Sequence, residues 1–147
     1  MEWHMGHKIR VDASAWIFFS LMILLLPLKW VWAAIFAAAV HECFHLAALA
    51  CLRIPVYSLN IGGRGAVLET GGMRPGQELL CALVGPVGSF LLVLMLHRFP
   101  RLALCGLAQG TFNLIPTTSS DGWRAVRSLI ALLPGKSPCK QGKEGVQ

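Results

Sequence analysis

The sequence predicts an all-α polytopic membrane protein, with about four membrane segments and a small β-hairpin between the second and third. Three observations predict it. Of 147 residues, 55% are hydrophobic with Gly left out and only 14% are charged, whereas soluble domains are about 45–50% apolar with Gly counted and about 25% charged. The mean hydropathy is +0.60. Apolar runs recur along the chain with basic residues at their ends, and one Gly-rich stretch between them is flanked by β-prone residues.

The length leaves room for one domain. The net charge of +6 would suit nucleic acid, but these basic residues mostly flank apolar segments, where they act as orientation signals beside a lipid bilayer; no nucleic-acid partner is expected. None of the five cysteines forms a Cys-x-x-Cys pair, which argues against a thiolate zinc site or a disulfide framework.

In chain order, residues 1–12 read as a polar N-terminal tail. Ala13 to Leu28 is apolar and falls a little short of the about 20 residues a spanning helix needs. No small-residue cleavage site follows it, so it is expected to remain as an anchor. Trp30 to Leu52 is long enough to span, and the two segments are expected to meet in a tight helical hairpin around Pro27–Trp30. Val56 to Glu69 contains two β-prone runs around Gly62-Gly63-Arg64-Gly65 and reads as a hairpin. A third segment runs from Glu78 or Leu79 to Leu96 and carries Gly85-Pro86-Val87-Gly88-Ser89, small residues that let a neighbouring backbone approach and a proline that loosens the helix. The fourth, Leu102 to Ile115, reaches about 21 Å against a hydrocarbon core of about 30 Å and cannot span as a simple helix. Its continuation through Pro116 to Asp121-Gly122 is therefore irregular backbone at membrane depth, tolerated only under protein or a wet cavity. A helical pattern resumes over Trp123 to Leu133. Residues 13–133 form the membrane-embedded core and 134–147 a disordered basic tail.

The chemistry-bearing stretch is His41-Glu42-Cys43-Phe44-His45 in the second segment. Positions i and i+4 share a helix face, so His41 and His45 can aim at one metal ion while Glu42 stands beside it as a base. On a soluble helix this spacing is more often only a polar face. In a membrane helix an ionisable side chain costs about 2.5–3.5 kcal/mol, so three polar groups in five residues need partners that repay desolvation; a metal is the most economical, with a proton pathway or a polar helix–helix contact as the alternatives. Spacing leaves Glu69, Glu78 and Asp121 as candidates for a third ligand. Asp121 alone has a reason to be buried, since it follows the segment that stops partway through the membrane.

With four segments both termini lie on one side. Placing them in the cytoplasm puts ten of the thirteen basic residues inside and leaves Lys29, Arg98 and Arg101 outside, as the positive-inside rule favours. His45 then lies eight residues before Arg53, about 12 Å below the cytoplasmic end of its helix, and Asp121 arrives from the same side.

Taken together, His41-Glu42-Cys43-Phe44-His45, the Gly-rich hairpin, Glu78 to Pro86, and Asn113-Leu114-Ile115-Pro116 ending in Asp121-Gly122 resemble the site-2 protease family of intramembrane zinc metalloproteases. The similarity spans about residues 30–130 and is nearest to the short, sporulation-type branch without a PDZ domain. The family's Gly-Pro segment usually continues to an Asn, where this chain has Ser89; a common Pro is Ser119 and a common second Gly is Trp123. The resemblance implies one zinc ion per chain held by His41, His45 and Asp121, Glu42 as general base, a membrane-protein substrate and a bacterial cell membrane. A regulatory membrane partner and the oligomeric state stay open. Asn113 is a candidate for binding the substrate backbone or developing oxyanion, with capping of the broken fourth helix the alternative; Gly62 and Gly63, in the hairpin, are candidates for holding an extended substrate strand. The competing reading is a catalytically inactive membrane protein that binds a metal or a partner.

Overall fold

The computed structural model describes residues 8–62, 65–117 and 120–133. Strand β1 (Lys8–Val11) leads into helix α1 (Ala13–Leu25), and Leu26-Pro27 separates this from helix α2 (Leu28–Cys51). Strands β2 (Val56–Gly62) and β3 (Gly65–Thr70) form the expected hairpin, followed by helices α3 (Pro75–Met95), α4 (Pro100–Leu114) and α5 (Asp121–Leu132).

The hairpin is part of a larger sheet. β2 pairs antiparallel with β3, closing at Gly62 opposite Gly65, and parallel with β1, so the strand order is β1-β2-β3. Residues 8–11 thus form an edge strand where the sequence reads as tail, because the second edge of β2 offers backbone groups that need partners. The bond from Asp12 N–H to Ile61 O (2.9 Å) carries the pairing to the foot of α1.

α2 stops in a reversal that returns the chain towards this sheet. Ile54 N–H donates to Leu49 O at 3.0 Å and Arg53 N–H to Ala50 O at 3.1 Å, the paired bonds of a Schellman cap. Arg53 takes the left-handed conformation there, φ 55°, a place usually held by Gly and strained by roughly 1 kcal/mol for other residues.

Two of the described helices, α2 and α3, are long and apolar enough to cross a membrane, rather than four. Pro27 keeps α1 to 13 residues, and α4, between Pro100 and Pro116, has 15; at 1.5 Å per residue neither reaches about 30 Å. The tight hairpin of the first two helices is also absent: α1 has no buried residue and touches α2 and β2 only slightly. The core lies elsewhere. α3 is the central helix, packed against α2, α4 and α5, and its buried residues Cys81, Ala82, Gly85, Pro86, Gly88, Ser89 and Leu92 are mostly small. A Cβ at Gly85 would collide with the imidazoles of His41 and His45, and one at Gly88 with the ring of Phe44. These two glycines let α2 lie close enough to α3 for its polar turn to be enclosed. Outward, large apolar side chains dominate, among them Trp16, Ile17, Leu24, Trp32 and Leu94, as expected of a surface solvated by lipid.

Candidate metal centre

His41 and His45 lie one turn apart on α2 and are both buried, His41 at 1% exposure. Their Nε2 atoms are 3.1 Å apart, and Asp121 Oδ2 lies 3.0 Å from the first and 3.1 Å from the second. Three donor atoms from two helices, separated by up to 80 positions in the chain, meet at one point.

The rings are aimed from behind by α3. Ser89 Oγ, fully buried, lies 2.9 Å from His41 Nδ1. His45 Nδ1 is 2.8 Å from the carbonyl of Cys81. A carbonyl only accepts, so His45 carries its proton on Nδ1 and directs the Nε2 lone pair at Asp121 and His41.

Asp121 is delivered by a short connection rather than by open coil. It is the first residue of α5, where the unpaired N–H groups favour a negative charge. Ser120 caps that helix, accepting from Trp123 N–H at 3.3 Å while its hydroxyl donates to Ile115 O at 2.6 Å, which ties the start of α5 to the end of α4. Gly122 abuts the carbonyl of Leu114 and has no room for a Cβ. The sequence places Asp121 in irregular backbone; the structure makes it the first residue of α5.

The donor set fits a cation. His45 Nε2 and Asp121 Oδ2 are both acceptors, and acceptors facing each other at 3.1 Å in a buried site need a proton or a metal between them. Zinc with nitrogen and oxygen ligands near 2.0–2.1 Å sets tetrahedral ligand atoms about 3.3 Å apart. The observed triangle needs to widen by only a few tenths of an ångström. Second partners on both imidazole Nδ1 atoms are the usual support of ligating histidines.

Of the other candidate residues, Glu42 is half-buried beside this cluster, within electrostatic range of His45, His41, Asp121 and Arg124, and accepts no hydrogen bond among the described residues. Asn113, in the last turn of α4, brings Nδ2 to 3.1 Å from His41 Nε2. Gly62 ends β2 in the sheet, paired with Gly65 and outside the cluster; Gly63 lies outside the described residues. The rival carboxylates are engaged elsewhere. Glu69 on β3 takes hydrogen bonds from Ser58 and Asn60, and Glu78 on α3 pairs with Arg127 at 2.6 Å and Arg124 at 3.9 Å. Sequence reasoning missed the orienting roles of Ser89 and the Cys81 carbonyl. It also missed Ser120, although a Ser directly before an acidic first turn is a recognisable N-cap.

Fold and site together define a class: helical membrane proteins with a buried His-His-Asp cluster where two broken or short helices meet a spanning pair. The chain superposes on the solved Site-2 Protease from Methanocaldococcus jannaschii with a TM-score of 0.70 and 22% sequence identity, over 89% of this chain and 70% of that one. Its fold is that of a site-2 protease. No protein-family model and no curated protein matches the sequence.

Proposed function

We propose that this protein is a zinc metalloendopeptidase that hydrolyses a peptide bond in or near a membrane segment of another protein. The convergence of His41, His45 and Asp121 on one point, inside the fold of a solved site-2 protease, is the observation that carries the reading. These three residues hold one zinc ion per chain, and both termini face the cytoplasm of a bacterial cell. Zinc bound there supplies Lewis acidity to a peptide carbonyl and lowers the pKa of a water to about 7.

The chain's own residues supply the rest. Glu42, one position from His41 and with free lone pairs, accepts the proton of the attacking water and returns it to the leaving amine. Asn113 Nδ2 donates to His41 Nε2 only while that nitrogen has a lone pair to offer; with the nitrogen engaged as a ligand, the amide is free to donate to the substrate carbonyl as negative charge develops on oxygen. A peptide bond inside a helix is shielded by its own hydrogen bonds, so the substrate must be unwound and held extended. The β1 strand already occupies one edge of β2, which leaves the outer edge of β3 as the place where a substrate strand adds to the hairpin. Gly62, opposite Gly65 at the end of the hairpin, and Gly63, next to it in sequence, are the candidates for holding that strand.

Glu42→Gln tests the reading. The amide keeps the shape but cannot accept a proton, so the variant should retain zinc at wild-type stoichiometry and lose cleavage of a membrane-peptide substrate. Cleavage near the wild-type rate would refute the role of Glu42. A wild-type protein that holds zinc and cleaves no membrane peptide would favour the inactive metal-binding alternative.

A further inference from the structure

The end of α2 remote from the histidines holds a second feature. A cavity of about 610 Å³ lies between the first three turns of α2 and the start of α4, lined by Lys29, Trp32 and Phe36 from one side and Phe99, Arg101 and Leu102 from the other. Its walls are apolar except for the two cations, and no Asp or Glu lines it. Among the described residues neither Lys29 nor Arg101 has an ion-pair or hydrogen-bond partner.

Each cation is also in an unfavourable place. Lys29 is the second residue of α2 and Arg101 the second of α4, where the positive end of the helix dipole disfavours positive charge. Neither helix start has a side-chain cap, so the first N–H groups of both turns lack intrahelical acceptors. Two uncapped helix starts, each bearing an unpaired cation, border one apolar cavity. An anion would relieve both conflicts at once, and the cavity beside it is suited to hydrocarbon.

We propose that this cavity binds one anionic glycerophospholipid, its phosphate between Lys29 and Arg101 and an acyl chain along Trp32, Phe36 and Ala39. The lining of α2 from Lys29 to Ala39 runs about 15 Å along the helix axis, a length suited to an extended chain. Exposed Trp32 (63%) and Phe99 (60%) leave the cavity open from the bilayer. The proposal is independent of the protease reading and requires only that the chain sits in a bilayer.

Native mass spectrometry of the full-length protein in mild detergent tests it, with phosphatidylglycerol and phosphatidylcholine as probes. Phosphatidylglycerol should be retained at one molecule per chain and phosphatidylcholine much less. At about 1 kcal/mol for each basic residue near a lipid phosphate, Lys29→Gln/Arg101→Gln should weaken retention about 30-fold. Ala39→Trp, which keeps both charges and fills the hydrocarbon path, should also weaken it, and Arg53→Gln, at the other end of α2, should not; circular dichroism verifies helix content in each. Equal retention of the two lipids, an unchanged double variant, or an equal loss in Arg53→Gln would overturn the proposal. Displacement of the lipid by inorganic phosphate would reduce the site to an anion site and overturn the acyl-chain assignment. Displacement by a transmembrane peptide with acidic flanks would transfer the cavity to a docked helix.

Discussion

Two carboxylates at the α5 interfaces, Asp121 and Glu78, have similar chemistry and opposite surroundings. Asp121 leaves α5 to face two imidazoles of α2 at 3.0 and 3.1 Å. Glu78 leaves α3 to face two guanidiniums of α5, Arg127 at 2.6 Å and Arg124 at 3.9 Å. A guanidinium is charged at every working pH and has no lone pair to offer a metal, so Glu78 is neutralised where it stands. His45, with its proton on Nδ1, presents only an acceptor to Asp121, so Asp121 belongs to a set that a cation would complete. The comparison shows that the neighbours of a carboxylate decide whether it is free to take a cation or is already clamped.

The sharpest break of this comparison is Asp121→Asn. Removing the anionic ligand should cost zinc affinity more than the about 10–100-fold that loss of a supporting partner costs, and should abolish cleavage; zinc content measured by atomic absorption after dialysis checks it, and full occupancy would exclude Asp121. Gly85→Ala reaches the same centre at its ligand atoms, since a Cβ there would lie against Nε2 of His45 and of His41. Its methyl has no place beside the two imidazoles, so zinc should be lost together with about 1–3 kcal/mol of stability from overpacking, and a variant with normal zinc and normal melting would mean that α2 and α3 are less closely packed than described. Ser89→Ala keeps every ligand and removes only the group behind His41; zinc affinity should fall about 10–100-fold by competition with a chelator, and an unchanged affinity would show that Ser89 merely fills space. Glu78→Gln should be the mildest. Zinc content should stay at the wild-type level, and stability should fall by less than about 1 kcal/mol, because Arg127 is half exposed and such pairs are weak. Loss of zinc in this variant with retention in Asp121→Asn would reverse the two roles.

Much of the plan follows from local sequence. Apolar excess and run length identify a membrane chain, i and i+4 spacing sets His41 and His45 on one face, the glycines of the 62–65 turn mark the hairpin, and a segment bounded by Pro100 and Pro116 is too short to span. Each of these depends on residues within a few turns of one another, where helix and strand periods act directly. The tertiary structure decided what depends on distant pairs. Ser89 reaches His41 across 48 positions, the Cys81 carbonyl reaches His45 across 36, and Asp121 reaches His41 across 80; no periodicity encodes such meetings. Nor does it tell that β1 joins β2, that α1 lies free of the core, or that Glu78 is claimed by the arginines of α5. Those outcomes rest on which surfaces come close enough to exclude lipid and satisfy buried polar atoms; for the turn that carries His41 and His45, Gly85 and Gly88 allow it by letting α2 lie against α3.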